Sequence, residues 1–287
     1  LIFMKNIRII PRLDIKGPNL VKGIHLEGLR VLGPPEYFAE YYYEHGADEL
    51  VYQDTVASLY GRNSLTQIIT KTAKNIFIPL TVGGGIRTLK DINNVLRAGA
   101  DKVSVNTAAI NNPKLINDAS KMFGSSTIVV AIEAIKSESG NFLAYTDNGR
   151  EYTGVNVLDW AIEVQDRGAG EIFLTSIDKE GTGQGFDEEL ISLVAKKIEI
   201  PIIAHGGAGN LQDILNLVKN INIDGVCCAS MLHYSLVKNI DISKIGQTEG
   251  NIEFLNSLKN QDYKKNFTLG EIKSFLKNNG IHTRIDF

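Results

Sequence analysis

The chain repeats itself. Gly46-Ala47-Asp48-Glu49-Leu50 returns as Gly168-Ala169-Gly170-Glu171-Ile172, and Ile78-Pro79 with Gly84-Gly85 returns as Ile200-Pro201 with Gly206-Gly207, each 122 residues later. Asp14 and Glu133 stand in a similar relation, 119 residues apart. Such a chain must fold into something that accepts two copies of one unit. Within each half, short β-rich runs alternate with amphipathic stretches. Strands are expected near Ile7–Asp14, Glu49–Asp54, Phe77–Val82, Lys102–Asn106, Thr127–Glu133, Glu171–Ile177, Pro201–His205 and Gly225–Ala229. Helices are expected between them, among them Pro35–His45, Leu89–Arg97, Asn112–Phe123 and Leu211–Lys219. About eight strand–helix units in roughly 250 residues fit a closed barrel, with an open doubly wound sheet as the rival. Two half-barrels close on each other naturally, and an open sheet has no use for the repeat. The expected class is therefore α/β, a (β/α)8 TIM barrel forming one domain over residues 1–287, with half-barrels of about 5–123 and 124–287.

Two segments fall outside the repeat. Gly140–Thr153, with its Asp-Asn-Gly turn, reads as a β-hairpin inserted after the fifth strand. Residues 236–267 are polar and rich in Asn and Lys; they read as a surface insertion before the last helix, with a short helix near Ile252–Leu258.

The totals exclude several classes. A net charge of −3 gives no basic excess for nucleic acid, and no apolar run approaches the roughly 20 residues of a membrane span. The cysteines are the neighbours Cys227 and Cys228, which a strand points to opposite faces, so neither a disulfide nor a zinc site is expected. The leading Leu-Ile-Phe-Met is too short for a signal peptide, and cytoplasmic localisation is the expectation.

The first strand places Arg8, Ile10, Arg12 and Asp14 on one face and Ile7, Ile9 and Leu13 on the other. A charged face suits the inside of a barrel with chemistry at its C-terminal end. Asp14 ends strand one and Glu133 strand five, so the two carboxyls face each other across the mouth, suited to general acid–base work; the bland reading is a pair of solvated acids. Gly83-Gly84-Gly85 and His205-Gly206-Gly207 close strands three and seven, and Ser104–Thr107 and Cys228–Ser230 end strands four and eight. Glycine-rich turns leading into helices can expose backbone N–H groups to an anion, or can simply be tight turns. One such set per half points to a ligand with a phosphate at each end. At the opposite end Arg8, Glu49, Lys102 and Glu171 open strands one, two, four and six. They either ring the barrel floor or face solvent.

With RIIPRLDIK, LVKG, GADELVYQD, IPLTVGGGIR, GADKVSVNTAAI, GAGEIFLTSID and PIIAHGGAG assembled, the chain resembles the cyclase subunit of imidazole glycerol phosphate synthase, from about Lys5 to Tyr234 and again through Arg284. The resemblance implies no cofactor or metal. Its substrate would be a phosphoribulosyl-formimino aminoimidazole ribonucleotide, and its ammonia would come from a glutaminase subunit docked on the barrel floor around Asp101. It makes Asp14 and Glu133 the catalytic pair and Arg8, Glu49, Lys102 and Glu171 a charged gate for ammonia. Lys22, Gly85, Asn106, Thr107, Glu180, Gly181, Gly206, Gly207, Ala229 and Ser230 become substrate-binding positions. The departures gather at the mouth. Glu133 and Glu180 stand for aspartates, Arg12 for a cysteine, His205 for a serine, and the loop from Ile24 to Pro35 lacks the usual acids. An inward arginine needs an acidic partner, Asp14 or Glu133. These departures also resemble a sister branch associated with sugar amidation in surface-polysaccharide synthesis, which relays ammonia instead of closing an imidazole. A conduit without chemistry and, more distantly, a phosphosugar isomerase complete the alternatives.

Overall fold

The computed structural model describes residues 6–57, 65–239 and 266–284. Eight parallel strands form the barrel: β1 (Arg8–Lys16), β2 (Leu50–Asp54), β3 (Leu80–Gly83), β4 (Lys102–Val105), β5 (Ile128–Lys136), β6 (Glu171–Ser176), β7 (Ile202–His205) and β8 (Gly225–Cys228). Each pairs with the next, and β8 returns to β1 through Arg8↔Gly225 to Pro11↔Cys228, so the sheet has no break. Because the strands follow chain order around the ring, β1 and β5 lie opposite each other. The open-sheet rival fails on that closure.

Side-chain alternation sorts the core into two shells. Ile9, Leu13 and Ile15 of β1 join the large cluster between strands and helices, while Ile10 joins Val51, Val129, Phe173, Ile203 and Cys227 in a small apolar layer inside the bore. The repeat is equally visible in the turns. Gly84 and Gly206 have φ of 98° and 101°. A Cβ at Gly84 would lie 2.4 Å from the Asp54 carbonyl oxygen, and one at Gly206 2.5 Å from that of Ser176. The following helices, Leu89–Arg97 and Leu211–Asn220, begin with capping boxes, Thr88 with Asp91 and Asn210 with Asp213.

Several boundaries differ from expectation. Residues 24–35 are no loop: Asn19–Ile24 and Glu27–Gly33 form an antiparallel hairpin that adds to β1, which runs on to Lys16. Glu49 sits one residue before β2, and β3 starts only at Leu80, leaving Phe77 80% exposed. The stretch Asn112–Phe123 is two helices with the first, Thr107–Asn111, beginning earlier, because Pro113 disfavours a helical residue before it. After β5, Phe142–Thr146 and Glu151–Asn156 pair antiparallel and extend β5. Ser230–Asn239 is helical to the edge of the polar insertion, and the helix expected near Ile252–Leu258 lies outside the described residues.

Candidate active site

The floor is a closed ring of four charges. Arg8 Nη1 donates to Glu49 Oε2 at 2.8 Å and its Nη2 donates to Glu171. Lys102 Nζ reaches Glu49 Oε2 at 3.0 Å and Glu171 Oε2 at 2.9 Å. Thr81 Oγ1 completes Glu49 at 2.6 Å. The acids are buried, whereas the Arg8 and Lys102 side chains keep 27% and 19% of their exposure. Burial works against the Arg8 charge, but Glu171 and then Glu49 hold its pKa above the ordinary value. The inward orientation follows from alternation, since Arg8, Glu49 and Glu171 lie two residues below Ile10, Val51 and Phe173 of the apolar layer.

Above that layer the wall becomes polar again. Arg12, 3% exposed, has its guanidinium carbon 5.8 Å from the Phe173 ring centroid, donates from Nε to Asp14 Oδ1 at 2.8 Å, and turns Nη1 to His205 Nδ1 at 3.4 Å. The arginine can only donate, so Nδ1 is the accepting nitrogen and the His205 proton sits on Nε2. Burial, then Arg12 and Lys22, pushes the His205 pKa well below its ordinary value, which keeps the ring neutral. Arg12 is supported from behind by a buried chain. Tyr42 O–H donates to His233 Nδ1 at 2.7 Å, and His233 Nε2–H donates to the Arg12 carbonyl at 2.8 Å. Burial lowers the His233 pKa to about 4, so the ring is neutral and holds both bonds.

Lys22 comes from the hairpin beside β1. Its ammonium pairs with Glu180, beyond the end of β6, and lies 4.0 Å from Asp14 Oδ2. Glu180 Oε2 also accepts from the Leu26 N–H at 2.9 Å, so one carboxylate fastens the hairpin to the mouth. Opposite Asp14 stands Glu133. Burial raises its pKa to about 7 against the opposing pull of Arg12 and the Gly149 N–H, and Oε2 has no partner. The Arg12 question is thus answered in favour of Asp14.

A cavity of about 400 Å³ opens over the ends of β2 to β5. Glu133, Gly85, Asn106 and Thr107 line it, joined by Gln53, Asp54 and Arg87 and by Asp147 and Asn148 of the inserted hairpin. Asn106 Nδ2 donates to the Tyr145 carbonyl at 3.1 Å, and the Asp147 N–H donates to Thr107 Oγ1 at 3.2 Å. Gly181, Gly206, Gly207, Ala229 and Ser230 belong to the other side of the mouth and do not line this cavity. There the backbones crowd together: a Cβ at Gly207 would sit 2.0 Å from the Gly185 carbonyl oxygen, and one at Gly181 2.8 Å from that of Gly23. Asp101 lies at the floor end, exposed, with Oδ2 accepting from the Leu80 N–H at 2.8 Å.

Sequence reasoning missed Asp147 and Asn148 as site residues. The Asp-Asn-Gly turn that announced the hairpin was the available signal, since a turn inserted right after a strand end lands on the mouth. Tyr42 and His233 gave none. Among the described residues no three His, Cys, Asp or Glu side chains are grouped to hold a metal, and no helix is long and apolar enough to cross a membrane.

The family model described as histidine biosynthesis protein matches residues 8–238. The imidazole glycerol phosphate synthase subunit HisF of Legionella pneumophila is 58% identical over 210 residues, covering 73% of this chain and 99% of that protein. The proteins of the same name from Natranaerobius thermophilus and Bacillus cereus are 47% and 45% identical over 227 residues, each covering 79% of this chain and 90% of the relative.

Proposed function

We propose, starting from the fact that the chain belongs to the histidine biosynthesis protein family, that it is the synthase (cyclase) subunit of a glutamine amidotransferase complex of the imidazole glycerol phosphate synthase type. The observation that carries the proposal is the floor ring, set below an apolar layer and a carboxyl-lined mouth. A glutaminase docked on the N-terminal face, next to Asp101, releases ammonia at the ring. Displacing the Lys102 ammonium, the more mobile of the two cations, opens a way in. The layer of Ile10, Val51, Val129, Phe173, Ile203 and Cys227 then favours neutral ammonia over ammonium, because an ion would lose its hydration there. At the mouth ammonia adds to a bis-phosphate ribonucleotide. Glu133, poised near neutral pH, gives a proton to the departing nitrogen and regains one from the attacking ammonia. Lys22, Asn106, Thr107 and the glycine turns orient the ligand. The complex operates in the cytoplasm.

A second reading keeps the channel but changes the acceptor, to a sugar amidated for a surface polysaccharide. One observation favours it: Asp14, a presumptive partner of Glu133 in ring closure, is held by Arg12 at 2.8 Å. The purified barrel given the ribonucleotide and excess ammonium salt should turn it over without a glutaminase. No turnover at any ammonium concentration overturns the synthase reading and leaves the relay.

A further inference from the structure

The cavity over β2 to β5 is short of donors. Three of its lining side chains carry a buried polar atom without a partner: Asn106 Oδ1, Asn148 Oδ1 and Glu133 Oε2. All three are oxygens. The amide orientations are fixed by what the nitrogens do, since Asn106 Nδ2 donates to the Tyr145 carbonyl at 3.1 Å and Asn148 Nδ2 to the Leu26 carbonyl at 3.3 Å. Glu133 and Asn148 are 5% and 9% exposed, so bulk water does not serve these atoms freely. Charge runs the same way. Asp54, Glu133 and Asp147 line the cavity against one cation, Arg87, which already donates to the Ala57 carbonyl at 3.2 Å. Asp147 also contacts Thr107, its Oδ1 lying 3.4 Å from the hydroxyl that a ligand phosphate would use.

A phosphate accepts hydrogen bonds and carries negative charge; hydroxyl and ammonium groups donate. We infer that this end of the mouth receives a hydroxyl- or ammonium-bearing part of the ammonia acceptor, a polyol or amino-sugar group, and that Asp147 sets this choice against a phosphate. The inference rests on the mouth being where the acceptor binds. Hydroxyls also accept, so the backbone N–H groups of the Gly83–Gly85 turn keep a use. The opposite side of the mouth, with Gly206 and Gly207, is left free to hold a phosphate.

The test uses the full chain and two probes, inorganic phosphate and protonated glucosamine, followed by amide NMR at Asn106, Thr107 and residue 147. Asp147→Asn removes the charge while keeping a residue that tolerates the φ of 52° found there. It should tighten phosphate binding by about 10-fold or more and weaken glucosamine by about 5-fold, as removal of a like charge and of an acceptor requires. Phosphate affinity unchanged by the substitution, or glucosamine that moves none of these resonances in the native chain, overturns the inference. These shifts are read without turnover. A failed ammonium assay therefore sinks the synthase reading alone, and an unmoved phosphate affinity sinks this one alone.

Discussion

The floor and the mouth of this barrel are both built from charges on the inward face of the strands, yet they are finished differently. At the floor Arg8, Glu49, Lys102 and Glu171 satisfy one another around a closed circuit. At the mouth Arg12 Nη2 and Glu133 Oε2 remain without partners although both side chains are buried. A circuit that is complete by itself acts as a barrier. A wall with unmet donors and acceptors is arranged for a ligand. One sequence pattern, a charge every second residue, thus produces two kinds of site, and the difference lies in whether the partners come from the protein.

The sharpest way to break that contrast is Glu133→Gln. If the mouth is catalytic, turnover with ammonium salt should fall by roughly 10²- to 10⁴-fold, the usual worth of a general acid–base group. Stability should move the other way. The folded carboxyl keeps its proton up to about pH 7, whereas its ordinary value is 4.5. The native state therefore gains most below about pH 4.5 and loses that advantage as pH rises through 7. The glutamine variant lacks this loss, so denaturant melts at pH 8 should find it more stable than the native chain by about 3 kcal/mol, with the gap closing at pH 4. Equal stability of both chains at pH 8 would remove Glu133 as a strained mouth group.

Next in size is Arg12→Ala. It leaves the Asp14 carboxylate buried with Lys22 only at 4.0 Å, and breaking a buried pair this way costs on the order of 3–5 kcal/mol, readable as a drop in melting midpoint. At the floor, Glu49→Gln should cost less, about 2 kcal/mol, because Arg8 and Lys102 keep Glu171 and part of their hydration. The smallest effect is expected for Lys102→Ala, within about 1 kcal/mol, since Arg8 still bridges both acids. Its signature is kinetic: ammonia transfer should change only when the glutaminase supplies the ammonia. The same change with free ammonium salt would mean that the ring is no gate.

What could be read beforehand follows from the same physics. Closure, the inward face of β1 and the floor were legible because the repeat and a two-residue alternation specify them. The inserted hairpin was legible because Asp147, Asn148 and Gly149, at φ of 52°, 62° and 81°, are residue types that adopt left-handed backbone readily. The hairpin on β1 was not, because its turn is His25-Leu26, at 52° and 61°, and neither residue announces such a conformation. Leu26 is held there by tertiary bonds, its N–H on Glu180 and its carbonyl on Asn148, so the cause lies more than a hundred residues away. Arg12 was ambiguous for a related reason: two acids share its face, and only the path of the guanidinium over Phe173 decides between them.

The first strand is tied to the far end of the chain as firmly as to its neighbours. Ile7 donates its N–H to the His282 carbonyl at 2.9 Å. Asp48 accepts from the Ile9 N–H at 2.8 Å and, at 2.7 Å, from the buried ammonium of Lys273, 225 residues further along. A ribosome making this protein releases β1 early, but the partners that complete β1 appear only with the helix Leu269–Asn278. Until then Ile7 and Ile9 lack much of their cover, and the nascent barrel waits as an open sheet with sticky edges. Closure is a contact of very long sequence separation, which slows the final step of folding and makes that interval the time when chaperones matter most.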